Sequence, residues 1–269
     1  MIAYTAATNR CSCEAPYIVY NEECVPKANC NDNETYHSET NSCTCDAPYM
    51  IVNGGQCKEK DALIAGDIIL FGHYEQDDDP GTKDEPIEWR VLSHSGNTLY
   101  VISEKALDVQ NYNNMNYYTY INKTPYPMGL FFLDSTIRSW LNGFDGSKNV
   151  CNTDYSGAGK SFKSNAFTIE EQSKISEIKL IGDGDLDTYF PNNEGIAAYA
   201  TKYVANKLGT KYCSYPCTVH WWRYGSKYDK NGYPYIIASP GSSAMICNTE
   251  NCSTSGYVAT VRPVMYIYL

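Results

Sequence analysis

This chain has little positive charge, no long apolar run and few histidines, and each shortage removes a class of function. Lys and Arg number 21 against 31 Asp and Glu, a net charge of -10. That field repels phosphate backbones and anionic lipid, so no nucleic acid or membrane-surface partner is expected. No stretch approaches the roughly 18 apolar residues of a spanning helix, so no membrane insertion is expected in this segment. Met1 to Asn9 lacks the basic start and apolar centre of a signal peptide, and the expectation is that any export signal has been removed. The histidines are His37, His73, His94 and His220, and none sits in a catalytic motif that would serve a nucleophile with a base. Cys-x-x-Cys knuckles are missing and His37 is the only imidazole near the N-terminal cysteines, which argues against zinc. Phenylalanine is scarce, 7 residues against 25 tyrosines. Tyrosine offers a rigid apolar body with a polar tip, so a binding surface is expected beside its ordinary use on half-exposed strands.

Cysteine, by contrast, is abundant at the N-terminus, where seven of the chain's 12 fall within the first sixty residues. Cys11-Ser-Cys13-Glu-Ala-Pro-Tyr17 runs on to Cys24, and Cys43-Thr-Cys45-Asp-Ala-Pro-Tyr49 runs on to Cys57. A near-repeat of this density is a disulfide framework, which places the protein in a secreted or cell-surface compartment. Spacing alone leaves many connectivities open. The Cys-x-Cys step resembles the C-terminal half of an EGF-like module, in which it separates two different bridges. That resemblance implies Cys30 to Cys43, Cys45 to Cys57 and, one copy earlier, Cys13 to Cys24. Cys11 is then left without its partner, and more of the repeat is expected before Met1; the alternative is a bond elsewhere, for example to Cys151.

Two domains are expected, residues 1–60 as cysteine-rich repeats and 61–269 as a domain large enough to bury one sizeable core. The charged join Lys58-Glu59-Lys60-Asp61 ends the cysteine rhythm, and three short antiparallel strands follow at Ile68 to Phe71, Pro86 to Leu92 and Thr98 to Ser103. Asp77-Asp78-Asp79-Pro80-Gly81 between the first two is a solvated turn. Asp134 to Leu141 predicts a helix with Ile137, Trp140 and Leu141 on one face. Thr168 and Glu171 form a capping box that opens a helix running to Ile178, and a third helix is predicted from Ile196 to Leu208, stopped by Gly209. Strands return at His220 to Tyr224, Tyr233 to Ala238 and Tyr257 to Tyr268. The fold class is α+β, with helices inserted into an antiparallel sheet.

Five motifs occur in one order: Gly66-Asp67-Ile68-Ile69-Leu70-Phe71-Gly72-His73-Tyr74-Glu75-Gln76-Asp77, Pro86-Ile87-Glu88-Trp89, Ser135-Thr136-Ile137-Arg138-Ser139-Trp140-Leu141-Asn142, Trp221-Trp222 and Val261-Arg262-Pro263-Val264. Over about residues 64–269 this series resembles an uncharacterised family of bacterial extracellular domains. That family is similar in turn to the formylglycine-generating-enzyme-like branch of the C-type lectin fold, whose members also end on a double-tryptophan strand and a closing Arg-containing strand. The resemblance implies a C-type-lectin-like domain whose C-terminal loops make the binding face. Similar proteins follow the double tryptophan with Leu-Arg-Ser-Pro-Gly, whereas here the chain departs into a segment rich in Tyr, Asn, Lys and Asp. Candidate ligand contacts are Arg223, Tyr224, Lys227, Tyr228, Asp229, Tyr233 and Tyr235, with residues 242–256 as a second region. Alternation along a strand sends Trp221 and Trp222 to opposite faces, so at least one is core.

Other constellations point elsewhere. Asp183, Asp185, Asp187 and Glu194 stand at positions one, three, five and twelve of an EF-hand-like calcium loop, but Thr188 replaces its turn glycine and Pro191 sits at nine. The alternative is that Asp183 and Asp185 cap a short helix through Tyr189 and Phe190. No cofactor is expected, with calcium the alternative weighed at these four residues. Cys247 and Cys252 echo the copper-binding pair of true formylglycine-generating enzymes without the aromatic and basic residues between them. A small loop disulfide is the reading adopted there, and another for Cys213 and Cys217; a metal shared by Cys213, Cys217 and His220 is a weaker alternative. The expectation is a non-enzymatic surface protein that binds a host, neighbouring-cell or matrix protein or glycan. A copper-dependent oxidase and a structural envelope module without ligand are the alternatives.

Overall fold

The computed structural model describes residues 2–5, 10–13, 15–20, 23–39, 41–46, 49–53, 55–79, 85–114, 119–121, 124–126, 132–149, 151–191, 195–224, 234–237, 244–246 and 259–269. The chain divides into two compact units, Met1–Leu63 and Ile64–Leu269.

The first unit is a run of antiparallel hairpins. β1 (Ile2–Thr5) pairs β2 (Arg10–Cys13), β3 (Tyr17–Tyr20) pairs β4 (Glu23–Pro26), β5 (Glu34–His37) pairs β6 (Ser42–Cys45), and β7 (Tyr49–Val52) pairs β8 (Gln56–Glu59). Asn33, Asn41 and Asn53 take positive φ at the turns, a conformation that asparagine tolerates better than most side chains. Three disulfides join these elements: Cys13 to Cys24, Cys30 to Cys43 and Cys45 to Cys57. The first ties β2 to β4 and the third ties β6 to β8, so each staples one hairpin to the next. Cys43 and Cys45, two apart on β6, share a face yet enter different bridges. This is the pairing the resemblance implied, and it fits EGF-like repeats. Only Val52 and Leu63 are fully buried among the described residues of this unit, so the bridges stand in for a hydrophobic core. Cys151, in the second unit, carries a buried free thiol; the alternative bond from Cys11 to Cys151 is not formed.

The second unit mixes antiparallel sheets with short helices. β9 (Ile68–His73), β10 (Pro86–Ser95) and β11 (Thr98–Ser103) follow one another as antiparallel neighbours. Ile87, Trp89 and Val91 alternate inward along β10, and a bulge between Val91 and Ser93 brings Leu92 into the core as well. β12 (Lys105–Ala106) and β13 (Asp108–Gln110) lead away, and β14 (Thr119–Ile121) pairs β15 (Thr124–Tyr126). α1 (Thr136–Asn142) starts on Ser135, whose hydroxyl accepts from the Arg138 amide, and buries Ile137, Trp140 and Leu141 as their spacing predicts. α2 (Phe162–Ala166) was not legible in the sequence; Ser161 caps it through a box with Ser164. α3 (Ile169–Ser173) opens on the expected Thr168–Glu171 box but stops well short of Ile178. Past Ser173 the chain is extended instead, bridging Ile175 to Ile267 and Lys179 to Val264, because sheet pairing there satisfies the backbone that a helix would otherwise use.

β16 (Ile181–Gly182) and α4 (Asp183–Tyr189) come next. The helix expected over 196–208 is half strand: β17 (Ala198–Ala200) pairs β12 and β18 (Thr218–Val219), and only α5 (Lys202–Leu208) is helical, capped by Thr201. β19 (Trp221–Tyr224), β20 (Pro234–Ile237) and β21 (Ala244–Ile246) form a meander, with β22 (Ala259–Val261) between β13 and β19. The closing run breaks at Arg262-Pro263, and β23 (Val264–Tyr268) crosses to pair β11.

Large aromatic side chains fill the centre of this unit. Trp89, Trp221 and Trp222 are fully buried, and each indole N–H reaches a backbone carbonyl, those of Phe71, Ile196 and Gln110 respectively. Both tryptophans of the pair are therefore core. Gly72 sits at φ +70°, where a Cβ would lie 2.5 Å from the Phe167 ring and 2.7 Å from the Ala166 carbonyl oxygen. Gly72→Ala is expected to destabilise this unit by about 2–3 kcal/mol, combining left-handed strain with overpacking, as read by thermal denaturation.

Candidate ligand-binding face

The register of three strands lays out the first part of the site. Ser93 of β10 stands opposite Tyr100 of β11, which stands opposite Tyr266 of β23, so the three side chains form one cross-strand row. Tyr100 and Tyr266 stack with ring centroids 4.6 Å apart. Tyr268 lies two residues on along β23 and faces the same way as Tyr266. Tyr266 and Tyr268 are 44% and 48% exposed, whereas Tyr100 beside Tyr266 is buried.

α4 supplies the acidic part. β16 runs parallel to β19 in register Ile181 with Arg223 and Gly182 with Tyr224, and this pairing delivers α4 to the edge of the row. A Cβ at Gly182 would come within 2.8 Å of the Tyr224 ring, so glycine is what lets the chain pass that close. Asp185 then accepts the Tyr100 hydroxyl at 2.8 Å, and the Tyr189 ring lies 5.6 Å from that of Tyr100 with its hydroxyl 3.4 Å from Ser93 Oγ. Tyr224 completes the group, stacked on Phe132 at 5.2 Å.

Electrostatics in this group act in one direction. Burial first and the Asp185 carboxylate second push the Tyr100 phenol far above its ordinary range. Tyr224 is raised by burial, Asp185 and Tyr266, and Tyr266 by burial, Asp185, Tyr189 and Tyr268. All three hydroxyls stay protonated at neutral pH. They serve as hydrogen-bond donors beside flat apolar rings, with Asp185 as an acceptor among them.

Several residues expected at the site take other parts. Arg223 is 7% exposed and forms an ion pair with Asp183 at the start of α4, so it anchors the helix instead of reaching outward. Asp183, Asp185 and Asp187 lie on α4 and not on a calcium-binding loop; Asp183 pairs Arg223 and Asp185 receives Tyr100. The short helix weighed as the alternative is present, but Gly182 and not an aspartate is its N-cap; Asp183 and Asp185 lie inside its first turn, where the helix dipole favours them. Glu194 lies outside the described residues. So do Lys227, Tyr228, Asp229 and Tyr233, and Tyr235 is placed only as a backbone position on β20, opposite Arg223. Tyr224 is the last described residue before that segment. Cys213 and Cys217 are disulfide-bonded, which leaves neither thiolate for a metal shared with His220. Cys247 and Cys252 lie outside the described residues.

Tyr100, Tyr189, Tyr266 and Tyr268 were missed in the sequence reading. Their signal was partly there: in Val264-Met265-Tyr266-Ile267-Tyr268, tyrosine alternates with apolar residues, which points two aromatic rings away from the core side. Comparison with protein families, with curated proteins and with solved structures finds no match for this chain. No helix among the described residues is long and apolar enough to cross a membrane.

Proposed function

We propose that this is an extracellular recognition protein, in which EGF-like repeats carry a C-type-lectin-like domain that binds a glycan or glycoprotein noncovalently. The observation that carries this reading is the exposed Tyr266–Tyr268 pair, with Tyr100 stacked on Tyr266 and Asp185 bonded to Tyr100. Flat aromatic faces accept the C–H face of a sugar ring, and protonated phenols with a neighbouring carboxylate answer its hydroxyls. The lectin-like assignment is supported by the ordered motifs, with Trp221, Trp222 and Arg262 all buried in the core as a shared framework would need. The disulfides are consistent with a secreted or cell-surface setting, and the ligand would belong to a host, a neighbouring cell or a matrix.

The test is a screen of the full chain against immobilised glycans and matrix glycoproteins, run in parallel with Tyr266→Ser/Tyr268→Ser. Both side chains are about half exposed, so the double variant is expected to fold, with a small drop in thermal midpoint from loss of the Tyr100–Tyr266 stack, and to lose at least about tenfold in affinity. Equal retention of both proteins by the same ligand would move the site off this face.

A further inference from the structure

The tyrosine face carries the charge of Asp185, and among the described residues no cation answers it. Asp185 accepts the Tyr100 hydroxyl through Oδ2, and no ion pair reaches it among the described residues. Arg223, the cation that the β16–β19 pairing brings to α4, is buried and paired with Asp183. Tyr189 stands four residues after Asp185 on α4, so the two share one side of that helix. The Tyr189 ring meets that of Tyr100, which stacks in turn on Tyr266. Three aromatic rings thus run on from one half-buried carboxylate.

This arrangement discriminates by charge. The face of a phenol ring is electron-rich, so an ammonium on an apolar carbon is drawn over it, and a carboxylate beside the ring adds a counter-ion. A neutral hydroxyl gains neither attraction to the same degree. An anionic sugar is repelled, both by Asp185 and by a chain whose net charge is -10. The field of Asp185 extends across the group: after burial it is the next cause that raises the phenols of Tyr224 and Tyr266, and no positive group counters it at either.

We propose that the ligand of this face is a glycan bearing free hexosamine ammonium groups, one of which sits against the Tyr266 ring with Asp185 as its counter-ion. The proposal rests on the recognition reading above and narrows its ligand to cationic amino-sugar polymers. A glycan suits the face better than a basic peptide. Tyr266 and Tyr268 are both about half exposed and stand two residues apart on β23, about 7 Å along the strand, so they offer successive pyranose rings two flat platforms.

Calorimetric titration of the full chain in mildly acidic buffer, where a free hexosamine nitrogen carries its proton, tests this with matched hexamers of glucosamine, N-acetylglucosamine and glucose and with hexalysine. The glucosamine hexamer is expected to bind at least about tenfold more tightly than the other three. Asp185→Asn keeps an acceptor for Tyr100 but drops the charge, and should bring glucosamine down to the neutral hexamers. Glu39→Gln, which drops one exposed charge from the first unit, should leave the preference intact. In the native chain the glucosamine hexamer should protect Tyr266 from radical oxidation, a readout that stands even if the Asp185 variant fails to fold. Equal affinity for charged and neutral hexamers, no binding of the glucosamine hexamer, or unchanged oxidation of Tyr266 overturns the proposal. Equal losses in Asp185→Asn and Glu39→Gln also overturn it, as general attraction to an acidic protein, and so does tighter binding of hexalysine, which would assign the face to a basic peptide. The broader recognition reading survives these results if another glycan is retained through Tyr266 and Tyr268, and falls if none is.

Discussion

Reduction of the intact protein at neutral pH is expected to unfold residues 1–63 while residues 64–269 stay folded. The first unit has Val52 and Leu63 as its only fully buried residues among those described, so little apolar burial opposes its chain entropy. Its three bridges span sequence separations of 11, 13 and 12 residues, and each removes about 3 kcal/mol of loop-closure freedom from the unfolded chain. Together they exceed what a unit of this size can recover by burial. The second unit depends on its core of Trp89, Trp221 and Trp222, and its Cys213–Cys217 bridge closes a loop of sequence separation 4, where the entropic gain is smaller. Limited proteolysis with increasing reductant, read by mass spectrometry, should show cleavage confined to the first unit. Resistance of both units, or their simultaneous loss, would contradict this division of stability.

Arg262→Ala is expected to cost the second unit about 4 kcal/mol, the largest effect of any single substitution considered. Arg262 is 1% exposed, yet its Nε donates to the Ser103 carbonyl at 2.8 Å and its Nη1 to the Ile196 carbonyl at 3.4 Å. The guanidinium lies 5.3 Å from the Trp221 ring centroid and 5.8 Å from that of Phe190. Alanine would remove the donors and leave a cavity beneath Trp221, so two costs add. Arg262→Met fills most of the volume and should lose only about half as much. Burial lowers the pKa of this arginine to about 10. The folded value is thus below that of free arginine, so above pH 10 unfolding takes up a proton and stability gains with rising pH. Between pH 6 and 9 the group is charged in both states, and the loss in Arg262→Ala should be flat. Denaturant titrations of both variants across that range check the magnitude and the flatness.

What could be read from the sequence was local. The alternation of Ile87, Trp89 and Val91, the Ser135 cap and the Thr168–Glu171 box each act within a few residues, and each appears where expected. The helix starts were therefore more legible than the helix ends. α3 stops at Ser173 because β23, which comes nearly a hundred residues later, pairs with the segment that follows. The site was less legible for the same reason. Arg223 reads as a polar residue at the mouth of a variable loop, and only the parallel pairing of β16 with β19 brings Asp183 against it. Asp183, Asp185 and Asp187 match a calcium spacing in one dimension, while the clustered carboxylates are Glu75, Asp77 and Glu85, drawn together by a hairpin. Tyr100 and Tyr266 are far apart in the chain and stack only because β23 returns beside β11.

The central claim is that the tyrosine face binds, and side-chain radical footprinting tests it most directly. The full chain would be oxidised alone and with the glycan or matrix glycoprotein it retains best, and modification of each tyrosine compared. The account predicts strong protection of Tyr266 and Tyr268, which are exposed in the free protein, with no change at exposed Tyr212. Unchanged labelling of Tyr266 and Tyr268 in a saturated complex would contradict it.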